Sequence, residues 1–150
     1  MIALLQRVTQ ARVSVADTRI ATISAGLLGF IAVQRGDSER EAERLLERVL
    51  GYRVFADSEG RMNRCLAETG GELLLVPQFT LAADTRKGSR PSFTPAADPA
   101  LGQQLFTYFC TLAGQRHPRV QCGRFGADMQ VTLTNDGPVT FWLEVGAPAP

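Results

Sequence analysis

Apolar and polar positions alternate through the first third of the chain, and turn residues cut the alternation into four strand-length runs at residues 2–9, 11–16, 19–24 and 27–34. Asp17-Thr18 and Gly26 supply the clearest breaks. The period then lengthens. Ala42, Leu45, Leu46, Val49 and Leu50 fall at i, i+3, i+4, i+7 and i+8 on one helical face, and Ser38 and Glu41 have the spacing of a capping box. Gly51 is the expected stop. Residues 52–56 return to strand, Asp57-Ser58-Glu59-Gly60 turns, and residues 72–81 form a long apolar strand running into a polar loop at 83–91. A second helix begins with Asp98 as N-cap and Pro99 at the first helical position, turns Leu101, Leu105, Phe106, Phe109 and Leu112 inward, and ends at Gly114. Two more strands, 128–134 and 139–145, are joined by Asn135-Asp136-Gly137-Pro138. Met129, Val131 and Leu133 share a face of the first, and Val139, Phe141, Leu143 and Val145 share a face of the second.

Strands gathered at both ends of the chain around two separated helices lack the regular strand–helix alternation of a doubly wound sheet. The pattern predicts an α+β fold, with barrel-like mixed or antiparallel sheets and two helices in a single domain. That domain spans residues 1–145, and residues 146–150 form a flexible tail because Ala147-Pro148-Ala149-Pro150 has nothing to pack. A chain of 150 residues can bury one sizeable core but not two domains' worth.

Composition alters this little: 45% hydrophobic and 21% charged residues are ordinary for a folded soluble domain. The longest apolar stretches, 26–33 and 73–76, are too short to cross a bilayer, and Met1 leads into a strand without a basic, cleavable leader. A cytoplasmic protein without membrane contact is expected. Cys65, Cys110 and Cys122 form no CxxC pair, so three reduced thiols packed as small hydrophobes are expected, and no disulfide. Sixteen basic against fifteen acidic residues leave a net charge of +1, so any contact with nucleic acid must be local. The candidate patches are Arg86-Lys87-Gly88-Ser89-Arg90 and the group Arg116, His117, Arg119 and Arg124, although short basic clusters are commonly just solvated loops.

The chain lacks GxGxxG, the P-loop pattern, HExxH, GxSxG and clustered Cys/His ligands, which leaves no cofactor and no metal to expect. Its one histidine, His117, precedes Pro118 in what reads as an exposed connection. Thr80 is a tempting nucleophile, but its hydroxyl would need an adjacent base and none is near in sequence. A strand threonine packing beside Phe79 is an equally good reading. Gln78 offers a donor and an acceptor that could hold an ester or ribose hydroxyl, or simply meet solvent. Asn135-Asp136-Gly137-Pro138 has the composition of a turn, and Gly-Pro can also adopt a cis peptide that presents carbonyls as rigid acceptors.

At Gln78-Phe79-Thr80-Leu81, at Ala83-Asp84-Thr85-Arg86-Lys87-Gly88-Ser89-Arg90-Pro91-Ser92-Phe93, and at Phe125-Gly126-Ala127-Asp128-Met129 leading to Asn135-Asp136-Gly137-Pro138-Val139-Thr140, the sequence resembles the D-aminoacyl-tRNA deacylase family, also called D-tyrosyl-tRNA deacylase. Gln6-Arg7-Val8 and Gly60-Arg61-Met62-Asn63 extend the resemblance over nearly the whole chain. Pro77 departs from it, standing where many members carry serine, so any role of that hydroxyl is lost or reassigned.

The resemblance implies a cytoplasmic homodimer that hydrolyses the ester of D-aminoacyl-tRNA or glycyl-tRNA and rejects the L-form, with tRNA as partner and no DNA expected. It assigns the hydrolytic site to Gln78, Phe79 and Thr80, where water is expected to attack the ester while backbone N–H groups near Phe79 and Thr80 stabilise the oxyanion. It makes Gly137-Pro138 a cis motif inserted into the other subunit's pocket, where its carbonyls collide with an L side chain. It gives Arg7 the task of bracing that motif, sets Phe125 and Met129 against the terminal adenosine or amino-acid end, and places Arg86, Lys87 and Arg90 on tRNA phosphates. Ordinary core packing is an equal reading of Phe125 and Met129. A non-catalytic RNA-binding dimer is the alternative, motivated by Pro77 and the basic loop.

Overall fold

The computed structural model describes residues 1–146, so the expected tail lies, except for Gly146, outside the described residues. The first two predicted strands are one: β1 runs unbroken over Ile2–Val15. Thr9 and Gln10 are polar but exposed, so the strand carries them on its solvent side without ending. Along one edge of β1 lie β2 (Thr18–Ile23) and then β3 (Gly26–Ala32), both antiparallel to it.

After β3 comes α1 (Glu39–Gly51), whose capping box is present as expected: Ser38 accepts from the Arg40 N–H, and the Glu41 carboxylate accepts from the Ser38 N–H at 2.8 Å. Its stripe of Ala42, Leu45, Leu46 and Val49 is fully buried. Each of the larger side chains contributes about 1.5 to 3 kcal/mol through that burial. The predicted strand at 52–56 contracts to β4 (Phe55–Ala56), which pairs with β5 (Met62–Arg64) in a separate two-stranded sheet. A four-residue helix, α2 (Leu66–Thr69), follows; at one turn it is too short to leave a periodic signature.

The strand expected over 72–81 stops early. β6 (Glu72–Pro77) lies parallel to β3, and the chain then winds into a 3-10 turn over Phe79–Ala82. Pro77 has no N–H to continue a ladder, and β7 (Val120–Cys122), the neighbour on the other side of β6, reaches only as far as Leu75. The helix expected to end at Gly114 continues: α3 covers Pro99–Arg116, with Asp98 accepting from the Leu101 N–H as N-cap. A single glycine costs a helix about 1 kcal/mol and is tolerated. The residue before Pro118 disfavours helical geometry, and the helix stops there.

His117, expected in an exposed connection, is only 4% exposed; its Nε2 sits 2.7 Å from the Gly71 carbonyl. The two final strands are also one. β8 (Gln130–Glu144) pairs antiparallel with β1 from Ser14↔Gln130 to Ile2↔Glu144, interrupted only near its middle. Asn135-Asp136-Gly137-Pro138 is therefore not a hairpin turn. Asn135 lies opposite Val8 and Thr140 opposite Gln6, so residues 136–139 bulge out against Arg7 alone.

The main sheet is mixed, in the order β2-β1-β3-β6-β7 with β8 on the free edge of β1. Alternation of side chains divides it between two cores. Leu5, Leu27, Leu73 and Leu75 face α1 and α3, whereas Val8, Leu28, Leu74 and Val76 pack on the opposite side. The bulge lets β8 serve both: Leu143 and Val139 join the helical core, while Val131 and Leu133, with Met129 just before the strand, join the other. The α+β, barrel-like architecture agrees with the sequence pattern.

Candidate active site

Gln78 stands where β6 ends. Its N–H donates to the Ile31 carbonyl at 2.8 Å, and its own carbonyl accepts from the Leu81 N–H at 3.3 Å, so main-chain bonds fix the turn from strand to 3-10 geometry. The N–H groups of Phe79 and Thr80 open that turn, where helical donors have no intrahelical partner. Among the described residues neither donates a hydrogen bond. The Gln78 side-chain amide donates to the Thr80 hydroxyl at 2.6 Å. No histidine or carboxylate is hydrogen-bonded to Thr80 among the described residues, and His117 is engaged elsewhere with Gly71.

Pro77, Gln78 and Phe79 border a cavity of about 580 Å³, closed on other sides by Phe93, Phe125 and Met129. The structure thus brings together Gln78, Phe79, Phe125 and Met129, all singled out in the sequence. Two glycines position the deeper pair. A Cβ on Gly102 of α3 would lie 3.2 Å from the Phe125 ring, and one on Gly123 would lie 2.9 Å from Met129 Sδ and 3.3 Å from Pro77 Cδ. The Phe125 ring and the Met129 thioether therefore rest directly on glycine backbone. Neither glycine is marked by any pattern in the sequence, because close approach of distant segments leaves no periodic trace. Pro77 is itself part of the wall, so the residue that replaces serine contributes surface in place of a hydroxyl.

Gly137 and Pro138 do not line this cavity in the same chain; they stand exposed on the β8 bulge, joined by a cis peptide bond. Gly137 has φ +130°, a conformation side chains disfavour, and a Cβ there would come within 2.7 Å of Val139 Cγ2. Two side chains hold the bulge. Asn135 donates to the Arg7 and Val139 carbonyls at 2.8 and 3.0 Å, and its oxygen accepts from the Thr140 hydroxyl at 3.2 Å. Arg7 donates through Nε to the Asp136 carbonyl at 3.2 Å and through Nη1 to the Val54 carbonyl at 2.7 Å, while lying 3.3 Å from the Asp136 carboxylate.

The basic loop is closed by a pair of bonds between the backbones of Asp84 and Ser92 at 2.8 and 2.9 Å. Arg86 turns back on it, giving Nε and Nη2 to the two oxygens of Asp84, and this pairing holds the Asp84 carboxyl well below the usual carboxylate range. Lys87 and Arg90 are exposed and form no ion pair among the described residues. Of the second basic patch, His117 is buried and takes no part in a surface. All three cysteines are free thiols; Cys110 of α3 and Cys122 of β7 meet, and that contact together with burial raises the Cys110 pKa.

The α+β domain thus sets unengaged backbone donors beside an apolar cavity, with the exposed Lys87 and Arg90 on a neighbouring loop. A family model described as D-Tyr-tRNA(Tyr) deacylase matches residues 4–144, and the chain belongs to that family. It is 62% identical to a D-aminoacyl-tRNA deacylase of Thioalkalivibrio sulfidiphilus, with 99% of each chain covered. It is 63% identical to one of Nitrosococcus oceani, over 97% of this chain and 94% of that protein. Among solved structures, it is similar to a c-Myc DNA unwinding element binding protein with a TM-score of 0.94 and 33% identity, covering 98% of this chain and 100% of that one. A probable eukaryotic D-amino acid tRNA deacylase shares the fold at a TM-score of 0.80 and 18% identity, over 96% and 98% of the two chains. No helix among the described residues is long and apolar enough to cross a membrane.

Proposed function

We propose that this chain hydrolyses the ester of D-aminoacyl-tRNA with backbone donors in place of a catalytic side chain. Membership of the deacylase family supports the reaction. The observation that carries the mechanism is the pair of unengaged N–H groups at Phe79 and Thr80, beside a cavity and next to a threonine hydroxyl that has no base. Water adds to the ester carbonyl, and the two N–H groups receive the oxyanion, at about 3 to 4 kcal/mol for such a preorganised donor. The tetrahedral intermediate then expels the ribose oxygen, with the adjacent ribose hydroxyl relaying the proton. The products are the free D-amino acid and tRNA, which keeps the wrong chirality out of translation in the cytoplasm.

The active unit is a homodimer. Gly137-Pro138 of one protomer enters the cavity of its partner, where fixed main-chain oxygens leave room for a D-residue or glycine and collide with an L side chain. Two features support this reading: the motif is exposed and takes no part in lining its own chain's cavity, and an open apolar row begins on the same strand. Trp142, half exposed on β8, is opposite Leu4 of β1, which is opposite Phe30 of β3. Phe125 and Met129 hold the terminal adenosine, and Lys87 and Arg90, with Arg86 when it leaves Asp84, meet tRNA phosphates.

Single-turnover assays test the reading: ester loss from D-aminoacyl-tRNA and glycyl-tRNA, but not from L-aminoacyl-tRNA, is expected. Binding of aminoacyl-tRNA with no ester loss would instead establish a non-catalytic RNA-binding dimer.

A further inference from the structure

Two of the four most exposed large hydrophobic side chains, Phe79 and Phe93, stand together. They are 55% and 43% exposed, their ring centroids lie 5.2 Å apart at an interplanar angle of 55°, and both border the 580 Å³ cavity. They therefore form part of its rim, outside the half-buried Phe125 and Met129. Phe93 arrives there on the closed 84–92 loop, three residues after Arg90, and the loop end is held by Ser92 Oγ donating to Thr94 Oγ1 at 3.1 Å. Lys87 and Arg90 on that loop are free of ion pairs among the described residues. An exposed aromatic pair beside uncommitted cations is the combination that binds single-stranded nucleic acid, in which bases stack on rings and phosphates meet the charges. Nothing in the hydrolysis needs the Phe79 side chain, whose backbone supplies the donor, or Phe93 at all.

We infer that the Phe79–Phe93 pair is a stacking site for the nucleobase immediately preceding the terminal adenosine of the tRNA. The inference rests on the proposed function, with the terminal adenosine occupying the deeper Phe125–Met129 wall. The base before it then emerges at the rim, and the phosphate before that base passes toward Arg90 and Lys87. The site ranks substrates by the presence of a stacked base at that position and is tolerant of which base it is, because every base has an aromatic face.

The test is an equilibrium binding measurement with amide-linked, non-hydrolysable D-aminoacyl-tRNA, either intact or abasic at the nucleotide preceding the terminal adenosine. The wild type is expected to bind the abasic RNA about tenfold more weakly than the intact one, and Phe93→Leu to weaken binding of the intact RNA by about the same factor. Phe93→Leu and the abasic site together should weaken binding no further than either alone, and Phe93→Trp should restore it. Additive losses, or no effect of the abasic site on the wild type, would overturn the stacking site. Failure of the deacylase reading would show separately, as absence of turnover with an ester-linked substrate.

Discussion

Residues 78–82 and 135–140 both leave a β ladder, yet they are held by opposite means. The first is fixed by main-chain bonds from Gln78 to Ile31 and Leu81, and its side chains can be changed without undoing the turn. The second is held almost wholly by the side chains of Asn135 and Arg7. Under the proposed function, in which backbone N–H groups do the chemistry, the site is thereby robust to substitution where it reacts and vulnerable where it selects. The backbone of the first segment was already the expected source of the donors, and the structure adds that the second depends on the side chains of Asn135 and Arg7 for its shape.

The most disruptive way to break this contrast is Gly137→Ala. A Cβ at φ +130°, 2.7 Å from Val139 Cγ2 and 3.3 Å from Arg7 Nη2, cannot be accommodated without shifting the bulge. The variant is expected to lose up to about 3 kcal/mol in chemical denaturation. Its ratio of kcat/KM for D- over L-aminoacyl-tRNA should fall, and a normal ratio with an unchanged pocket would remove the selecting role. Asn135→Ala comes next, at about 2 kcal/mol, because it strips donors from the Arg7 and Val139 carbonyls. It should also relax selection while single-turnover hydrolysis of the D-substrate survives.

Ser38→Ala gives a reference far from both segments. It removes the hydroxyl's half of the α1 capping box, at about 1 kcal/mol, and should leave the D/L ratio alone. Its cost should depend on pH. Hydrogen bonds from Ser38 lower the pKa of Glu41 below its ordinary 4.5, so the contribution is complete above that value and disappears as pH falls through the lowered one. Denaturation midpoints of wild type and variant should therefore draw closer in acid, the bond from the Arg40 N–H to Ser38 accounting for the difference that remains.

The elements legible in the sequence were those whose signals are local. The Ser38–Glu41 box and the Asp98-Pro99 start lie at the right places because caps are written in adjacent residues. The joins were misplaced where the decisive partner was distant. Residues 135–138 read as a turn because their composition is that of one; only pairing of both flanks with the same β1 makes them a bulge. The end of β6 at Pro77 likewise depends on where β7 stops. In the candidate site, Gln78, Phe79, Phe125 and Met129 were recognisable through family motifs, whereas Gly102 and Gly123 act through contacts that no spacing encodes.

The reacting segment itself is tested by its smallest expected effect. Single-turnover hydrolysis of D-aminoacyl-tRNA by Thr80→Ala, quenched in acid and examined for protein-bound amino acid, separates backbone catalysis from a covalent threonine. Backbone catalysis predicts a rate within roughly threefold of wild type and no acyl-enzyme in either protein, since removing the hydroxyl leaves the Phe79 and Thr80 N–H groups in place. Complete loss of turnover with binding intact, together with an acyl-enzyme trapped in the wild type, would contradict it.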